Sequence, residues 1–234
     1  MSSGAALTRA GAPDSTRERL IGAAERLFAE RGVDGVSLRE INRASGARNT
    51  IALQYHFEDR VGLVRAIFDK HQPDVESRRN ALLDQYEAPG QPDLRVLAGA
   101  LVRPVAAKLA DPDGGPEFLQ IYAEVLSRPP LPAAAAYWEE PASSSLHRWR
   151  ALAETLLEAD AVRLHRRFTA IVHNAIELGR RARSGPHTDD RLFTSYLVDI
   201  VAAILSAPTS EETRRLANER DALATGRPVI PPEA

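Results

Sequence analysis

Residues 17–72 read RERLIGAAERLFAERGVDGVSLREINRASGARNTIALQYHFEDRVGLVRAIFDKHQ, and the order of caps, turns and apolar positions in this stretch decides the fold. Ser15 and Glu18 stand in the S-x-x-E order of a capping box, which satisfies two N–H groups that a helix start otherwise leaves unpaired. Leu20, Ile21, Ala24, Leu27 and Phe28 then recur at three- and four-residue spacing, which predicts an amphipathic helix. Gly32 follows its last turn, where a left-handed stop is cheap for glycine. Ser37 and Glu40 repeat the box, and Val36 and Ile41 form a hydrophobic staple across it. This second helix is short and ends near Ala44, with Gly46 supplying a sharp turn. A third helix is expected from about Asn49 to Tyr55, carrying Ile51 and Leu53 inward. Phe57 closes the unit, and Asp59 is the expected N-cap of a fourth helix burying Leu63, Val64, Ile67 and Phe68. Pro73 should kink or end that helix, since proline costs ~3 kcal/mol in a helix interior.

Outward from this stretch the pattern stays helical, with no strand-like alternation of useful length. Asp74–Tyr86 continues helically and residues 89–92 form a loop. A helix over about Asp93–Ala110 contains Pro104, a further expected kink. Pro116 suits the first position of a helix that buries Phe118, Leu119, Tyr122, Val125 and Leu126. Shorter helices are expected over 133–139 and 143–157, then longer ones over about 160–182 and 189–206. Thr209 and Glu212 are expected to cap a last helix that ends near Gly226. The 234 residues are 44% hydrophobic and 26% charged, as in an ordinary soluble globular protein. Their net charge of −2 is not that of a nucleic-acid coat protein. There is no cysteine, so a disulfide framework and thiolate chemistry are excluded. No apolar run approaches a membrane span, and no export signal is visible, so the expected location is the cytoplasm.

Two short helices joined at a glycine turn and packed by a preceding helix form a helix-turn-helix, whose second helix enters the major groove. The residues carry more than the pattern does. The run A-x-x-L-F-x-x-x-G at Ala24, Leu27, Phe28 and Gly32, the S-L-R-E-I of Ser37–Ile41, the turn Gly46 and the Tyr55-His56-Phe57 set resemble the DNA-binding domain of the TetR family. The resemblance covers about a quarter of the chain. Phe57 lies eleven residues after Gly46, one more than the commonest family pattern, and R-N-T-I-A-L-Q-Y-H-F resembles a subgroup with this extra residue. The segment 102–126, which opens V-R-P-V-A-A-K-L-A-D-P-D-G-G-P-E-F-L-Q-I-Y, resembles the same subgroup.

The resemblance implies an all-α homodimer that binds double-stranded operator DNA as a transcriptional repressor and is released by a small-molecule effector. Arg48, Asn49, Thr50 and Gln54 are the candidates for base edges, because arginine grips guanine and asparagine or glutamine grips adenine in bidentate fashion. Tyr55 and His56 resemble the family's phosphate-contacting pair, which sets register without reading sequence. Ser37 and Arg39 sit at a helix N-terminus, where free N–H groups attract phosphate, and Arg60 stands where the family places a basic residue. The resemblance also makes Arg9 and Arg17 candidates to reach phosphates from the arm, although plain solvated arginines are at least as good a reading of both. Each of these has a bland alternative. Tyr55 taken alone reads as a core-edge aromatic, Arg39, Arg43 and Arg60 as a solvated face, and Ser37 as a cap.

The domain boundaries that follow are a disordered arm at 1–14, the three-helix helix-turn-helix domain at 15–72, a larger helical ligand-sensing and dimerisation domain at 73–226, and a loose tail at 227–234. The resemblance implies a four-helix dimer interface from helices 160–182 and 189–206. The second of these carries Leu192, Phe193, Tyr196, Leu197, Ile200, Val201, Ile204 and Leu205, an apolar arc wide enough to face both its own core and a partner. Phe118, Tyr122, Trp138, Trp149, Phe168, His173 and Asn174 are the candidates for a ligand pocket, an aromatic wall with a few polar groups; the same aromatics at helical spacing also read as plain core. No cofactor or metal is called for. An enzyme has no visible anchor, since there is neither cysteine nor a G-x-S-x-G elbow. His173 and Glu177 are four apart on one helix face, so a metal site there is conceivable, but a lone His on a mostly apolar helix reads more readily as a satisfied core residue. The alternative reading is a helical small-molecule-binding protein or enzyme without DNA binding.

Overall fold

The computed structural model describes residues 15–47, 52–88, 93–127 and 143–224. Among these every regular element is helical, so the chain is all-α. The expected arm at 1–14, loop at 89–92, helix at 133–139 and tail at 227–234 lie outside the described residues. The helices are α1 Thr16–Arg31, α2 Leu38–Ala44, α3 Ala52–Phe57, α4 Arg60–Glu87, α5 Leu94–Ala106, α6 Gly115–Ser127, α7 Ser145–Glu154, α8 Ala159–Arg163, α9 Arg166–Arg183, α10 Arg191–Ser206 and α11 Glu211–Ala224. The chain divides into two compact units that do not follow chain order. One takes residues 1–75, 107–139 and 178–186; the other takes 76–106, 140–177 and 187–234.

In the first unit α1 packs on α2, α3 and α6. Leu20, Ile21, Ala24 and Phe28 of α1, Ile41 of α2, Leu53 and Phe57 of α3, Leu63 and Ile67 of α4, and Phe118 and Leu119 of α6 form its core. Both expected capping boxes are present, at Ser15–Glu18 and Ser37–Glu40. The buried face of α1 also carries Glu25, whose carboxylate meets His71 Nε2 at 2.9 Å and Lys70 Nζ at 3.0 Å. The His71 ring stacks on Phe118 with centroids 4.6 Å apart. Gly114 has φ +81°, which glycine adopts without strain, and a Cβ there would lie 2.4 Å from a Glu25 oxygen.

In the second unit α5 packs on α10 and α7. Leu97, Leu101, Val102 and Val105 meet Leu197, Val198, Val201 and Leu205 in its core, and Trp149 of α7 is fully buried. The N-terminus of α7 is tied to α4, since Ser145 N donates to Glu76 at 2.6 Å and Arg79 donates to the Ser145 hydroxyl at 3.0 Å. Further along the same pair, Arg148 donates to Asn80 at 3.1 Å and Asp84 at 2.7 Å, and also to Glu87. Arg163 of α8 reaches Asp221 of α11 at 2.7 Å.

Several expectations are corrected. Pro73 does not end its helix, because α4 runs through it. Pro73 and Asp69, whose carbonyl loses its usual donor, are both exposed, so solvent can replace the missing bond. Pro104 does mark a change, since α5 gives way three residues later to a 3₁₀ turn over Ala107–Ala110. The helix expected over 160–182 is two helices, broken where His165 takes φ +55°. The last helix is capped by Ser210, whose hydroxyl accepts from Thr213 N at 3.2 Å, and not by Thr209, whose hydroxyl accepts from Arg166 at 3.0 Å.

Candidate nucleic-acid interface

The turn that precedes the recognition segment is set by Gly46, which has φ +68° with open space around it, so its role there is conformational. Arg48, Asn49 and Thr50, three of the four candidate base readers, lie outside the described residues. The described part of α3 begins at Ala52 and separates its faces cleanly. Leu53 and Phe57 are buried, while Gln54, Tyr55 and His56 are exposed. Tyr55 is 84% exposed, so its ring is not packed at the edge of the core. Its ring meets His56 edge-on at 5.2 Å, and the Arg17 guanidinium lies 5.5 Å over the Phe57 ring behind it.

A tight corner fixes the far end of α3. Glu58 takes φ +62° and donates its N–H to Gln54 O at 3.0 Å. The Asp59 carboxylate then caps α4 by accepting from Gly62 N at 2.8 Å. A Cβ at Gly62 would come within 2.1 Å of Phe57 O, so only glycine lets α4 start this close to α3.

At the N-terminus of α2, Ser37 and Arg39 are exposed. The Ser37 hydroxyl donates to Glu40 at 2.7 Å and Ser37 N donates to the same oxygen at 2.8 Å, while Arg31 holds the other oxygen at 2.9 Å. Hydrogen bonds from the Ser37 backbone, then from its hydroxyl, then from Arg31, hold the Glu40 carboxyl down at about 2. The Arg60 guanidinium donates to Val33 O in the α1–α2 turn. The N–H of the same residue 33 donates to both oxygens of Glu124 on α6, at 3.1 and 3.2 Å. Nothing in the local sequence pattern points to Glu124, which lies 91 residues away. Glu25 does carry a signal, as an acid in phase with the apolar stripe of α1.

The described ligand-pocket candidates are divided between the two units. Trp138 lies outside the described residues. Phe118 and Tyr122 are buried in the first unit, stacked at 5.6 Å. Trp149, Phe168, His173 and Asn174 belong to the second unit. Trp149 behaves as core, donating its indole N–H to Leu97 O at 2.8 Å. Phe168 is 57% exposed and His173 half-buried, whereas Asn174 is buried with its Oδ1 lacking a hydrogen-bond partner. No group of side chains among the described residues has the makings of a metal site. No single described helix is long and apolar enough to cross a membrane.

Residues 20–67 match the family model of bacterial regulatory proteins of the tetR family. No curated protein matches the chain. Among solved structures, a TetR-family transcriptional regulator from a Rhodococcus species is similar at 19% identity, over 82% of this chain and 98% of its own, with a TM-score of 0.38. RolR in complex with resorcinol is similar at 24% identity over 84% and 95%, with a TM-score of 0.41. A TetR-family regulator from Streptomyces coelicolor A3 is similar at 19% identity over 84% and 99%, with a TM-score of 0.37. At TM-scores this low the three structures carry no weight for function, which rests on the family match and the geometry of its helices. Residues 20–67 are a DNA-binding domain of the tetR type, and the chain that carries them is a transcriptional regulator.

Proposed function

We propose that the protein is a sequence-specific repressor that binds its operator as a homodimer and is released by a small molecule. The observation that carries the DNA-binding face is the exposure of Gln54, Tyr55 and His56 on α3, opposite buried Leu53 and Phe57. In this reading Tyr55 and His56 donate to phosphate, Ser37 and Arg39 do so from the start of α2, and Arg48, Asn49, Thr50 and Gln54 meet base edges. Arg60 supports the turn from behind through Val33 O. Dimerisation through α9 and α10 is supported by Phe168, Leu192 and Tyr196, which are 57%, 83% and 62% exposed in the single chain. It would place two recognition helices in successive major grooves, ~34 Å apart or a multiple of that. Sensing of a small molecule is supported by Asn174, whose buried and unpartnered oxygen would accept from a donor group on a ligand.

The test is binding to the DNA flanking the protein's own gene, measured across a salt series and mapped by footprinting. We expect a protected site with affinity falling steeply as salt rises, because bound phosphates release counterions. Absent or salt-insensitive binding across all flanking fragments would overturn the reading.

A further inference from the structure

We propose that Glu124, on α6 and far outside the helix-turn-helix segment, is a positioning residue for DNA binding that holds the α1–α2 turn and through it the start of α2. The proposal rests on the DNA-binding reading above and adds a residue to it. Three observations meet at one backbone position. Both Glu124 oxygens accept from Val33 N, at 3.1 and 3.2 Å. Arg60 donates to the carbonyl of the same residue. Gly32, just before it, has φ +80°, and a Cβ there would stand 3.3 Å from a Glu124 oxygen. Residue 33, in the turn between α1 and α2, is therefore held at both its N–H and its C=O by side chains from two different helices, α6 and α4.

The position of that residue gives the contact its consequence. Val33 and Val36 are both buried, and Gly35 N closes the turn on Gly32 O at 3.2 Å. Ser37, the exposed N-cap of α2, comes next in the chain. A turn that loosened at Val33 would let Ser37, Arg39 and the entry angle of α2 drift. The carboxylate is a good choice for this task, since a charged acceptor binds a backbone N–H more strongly than a neutral one.

The sign of the effect separates positioning from plain electrostatics. A negative charge near DNA opposes binding, so if charge were all that mattered, Glu124→Gln and Glu124→Ala would both tighten it. Positioning predicts the reverse for alanine. We expect Glu124→Ala to weaken binding to the footprinted promoter duplex by about tenfold or more, the loss of a hydrogen bond to a charged group. Glu124→Gln keeps one oxygen acceptor and should stay within about threefold of the wild type. The slope of log affinity against log salt should not change in either variant, because no phosphate contact is removed. Hydrogen exchange at the Val33 amide, read without DNA on the full chain well below its melting temperature, should accelerate in Glu124→Ala and much less in Glu124→Gln.

Equal or tighter DNA binding by Glu124→Ala, a Gln variant as weak as the Ala variant, or unchanged exchange at Val33 would each overturn the proposal. A wild-type protein that binds no flanking DNA would instead overturn the DNA-binding reading, with the exchange measurement still reporting on the Glu124 contact.

Discussion

Tyr55 is the residue at which sequence and structure give different weights to the same side chain. Read alone, an aromatic beside Phe57 is a core-edge residue; in the fold it is 84% exposed while Phe57 is buried. Exposure also makes it a clean probe, because removing its hydroxyl disturbs no packing. Tyr55→Phe should leave thermal stability within about 0.5 kcal/mol, the usual scatter for a surface change. It should weaken binding to the promoter duplex by roughly tenfold or more, about the contribution of one hydrogen bond to a charged group. The loss should be the same on base-substituted duplexes, since a phosphate contact carries no sequence information. Arg48→Ala should instead change the preference at one position, as read by competition among such duplexes. Equal losses on all sequences for both variants would make Arg48 a phosphate contact as well. Both residues were visible in the sequence through the family resemblance. Arg60 was visible too, but its guanidinium lies on Val33 O, a partner 27 residues away that no local pattern specifies.

At the scale of the element, the short-range devices were legible and the long-range ones were not. The boxes at Ser15–Glu18 and Ser37–Glu40 close as their spacing requires, because capping is decided within four residues. The break between α8 and α9 is different: it rests on His165 at φ +55°, which the sequence does not announce, since histidine has no special need for that conformation. Ser37→Ala should cost about 1 kcal/mol of stability by urea titration at neutral pH, the usual value of an N-cap. That cost should also depend on pH. The folded Glu40 carboxyl is lowered to about 2 from its ordinary 4.5, first by the Ser37 backbone, then by its hydroxyl, then by Arg31. A lowered carboxylate stabilises the folded state above its unfolded value and loses that contribution as pH falls through its folded value. The gap between wild type and Ser37→Ala should therefore be full above about pH 5 and narrow toward pH 2. A gap independent of pH would separate the cap from the Glu40 carboxylate.

Gly179 poses the converse case, in which a general rule is overridden by a contact. It sits inside α9, where alanine is ordinarily favoured by about 1 kcal/mol. A Cβ there would lie 2.5 Å from the Ala123 Cβ and 3.1 Å from Leu119 O on α6. One of these is backbone, so α6 would have to move, and overpacking of this kind costs about 1–3 kcal/mol. The steric cost should exceed the propensity gain, and Gly179→Ala should melt at a lower temperature than the wild type. A higher melting temperature would mean that the two helices separate without penalty.

For the molecule as a whole, the question is what covers the outer side of α10. Its inner side is settled by Leu197, Val198, Val201 and Leu205, all buried in the second unit against α5 and its neighbours. Leu192 and Tyr196, one helical turn apart, face away at 83% and 62% exposure, and Phe168 of α9 is exposed in the same unit. The wide apolar arc was legible in the sequence, but which part of it faces the chain's own core was not, because that depends on where α5 packs. Side chains of this size gain about 1.5–3 kcal/mol each when they leave water, which favours a partner surface over solvent. A second copy of the chain fits the DNA-binding reading, since two half-sites need two heads. Leu192→Asp would put a charge at the most exposed point of this ridge without touching the buried side of α10. The variant should keep its helical content and melting behaviour but sediment as a monomer where the wild type is a dimer. Its affinity for the promoter duplex should fall by about a hundredfold or more, because the second head no longer binds as part of the same molecule. A variant that still sediments as a dimer would place the interface elsewhere. A monomeric variant with undiminished affinity would show instead that one head is enough for DNA binding.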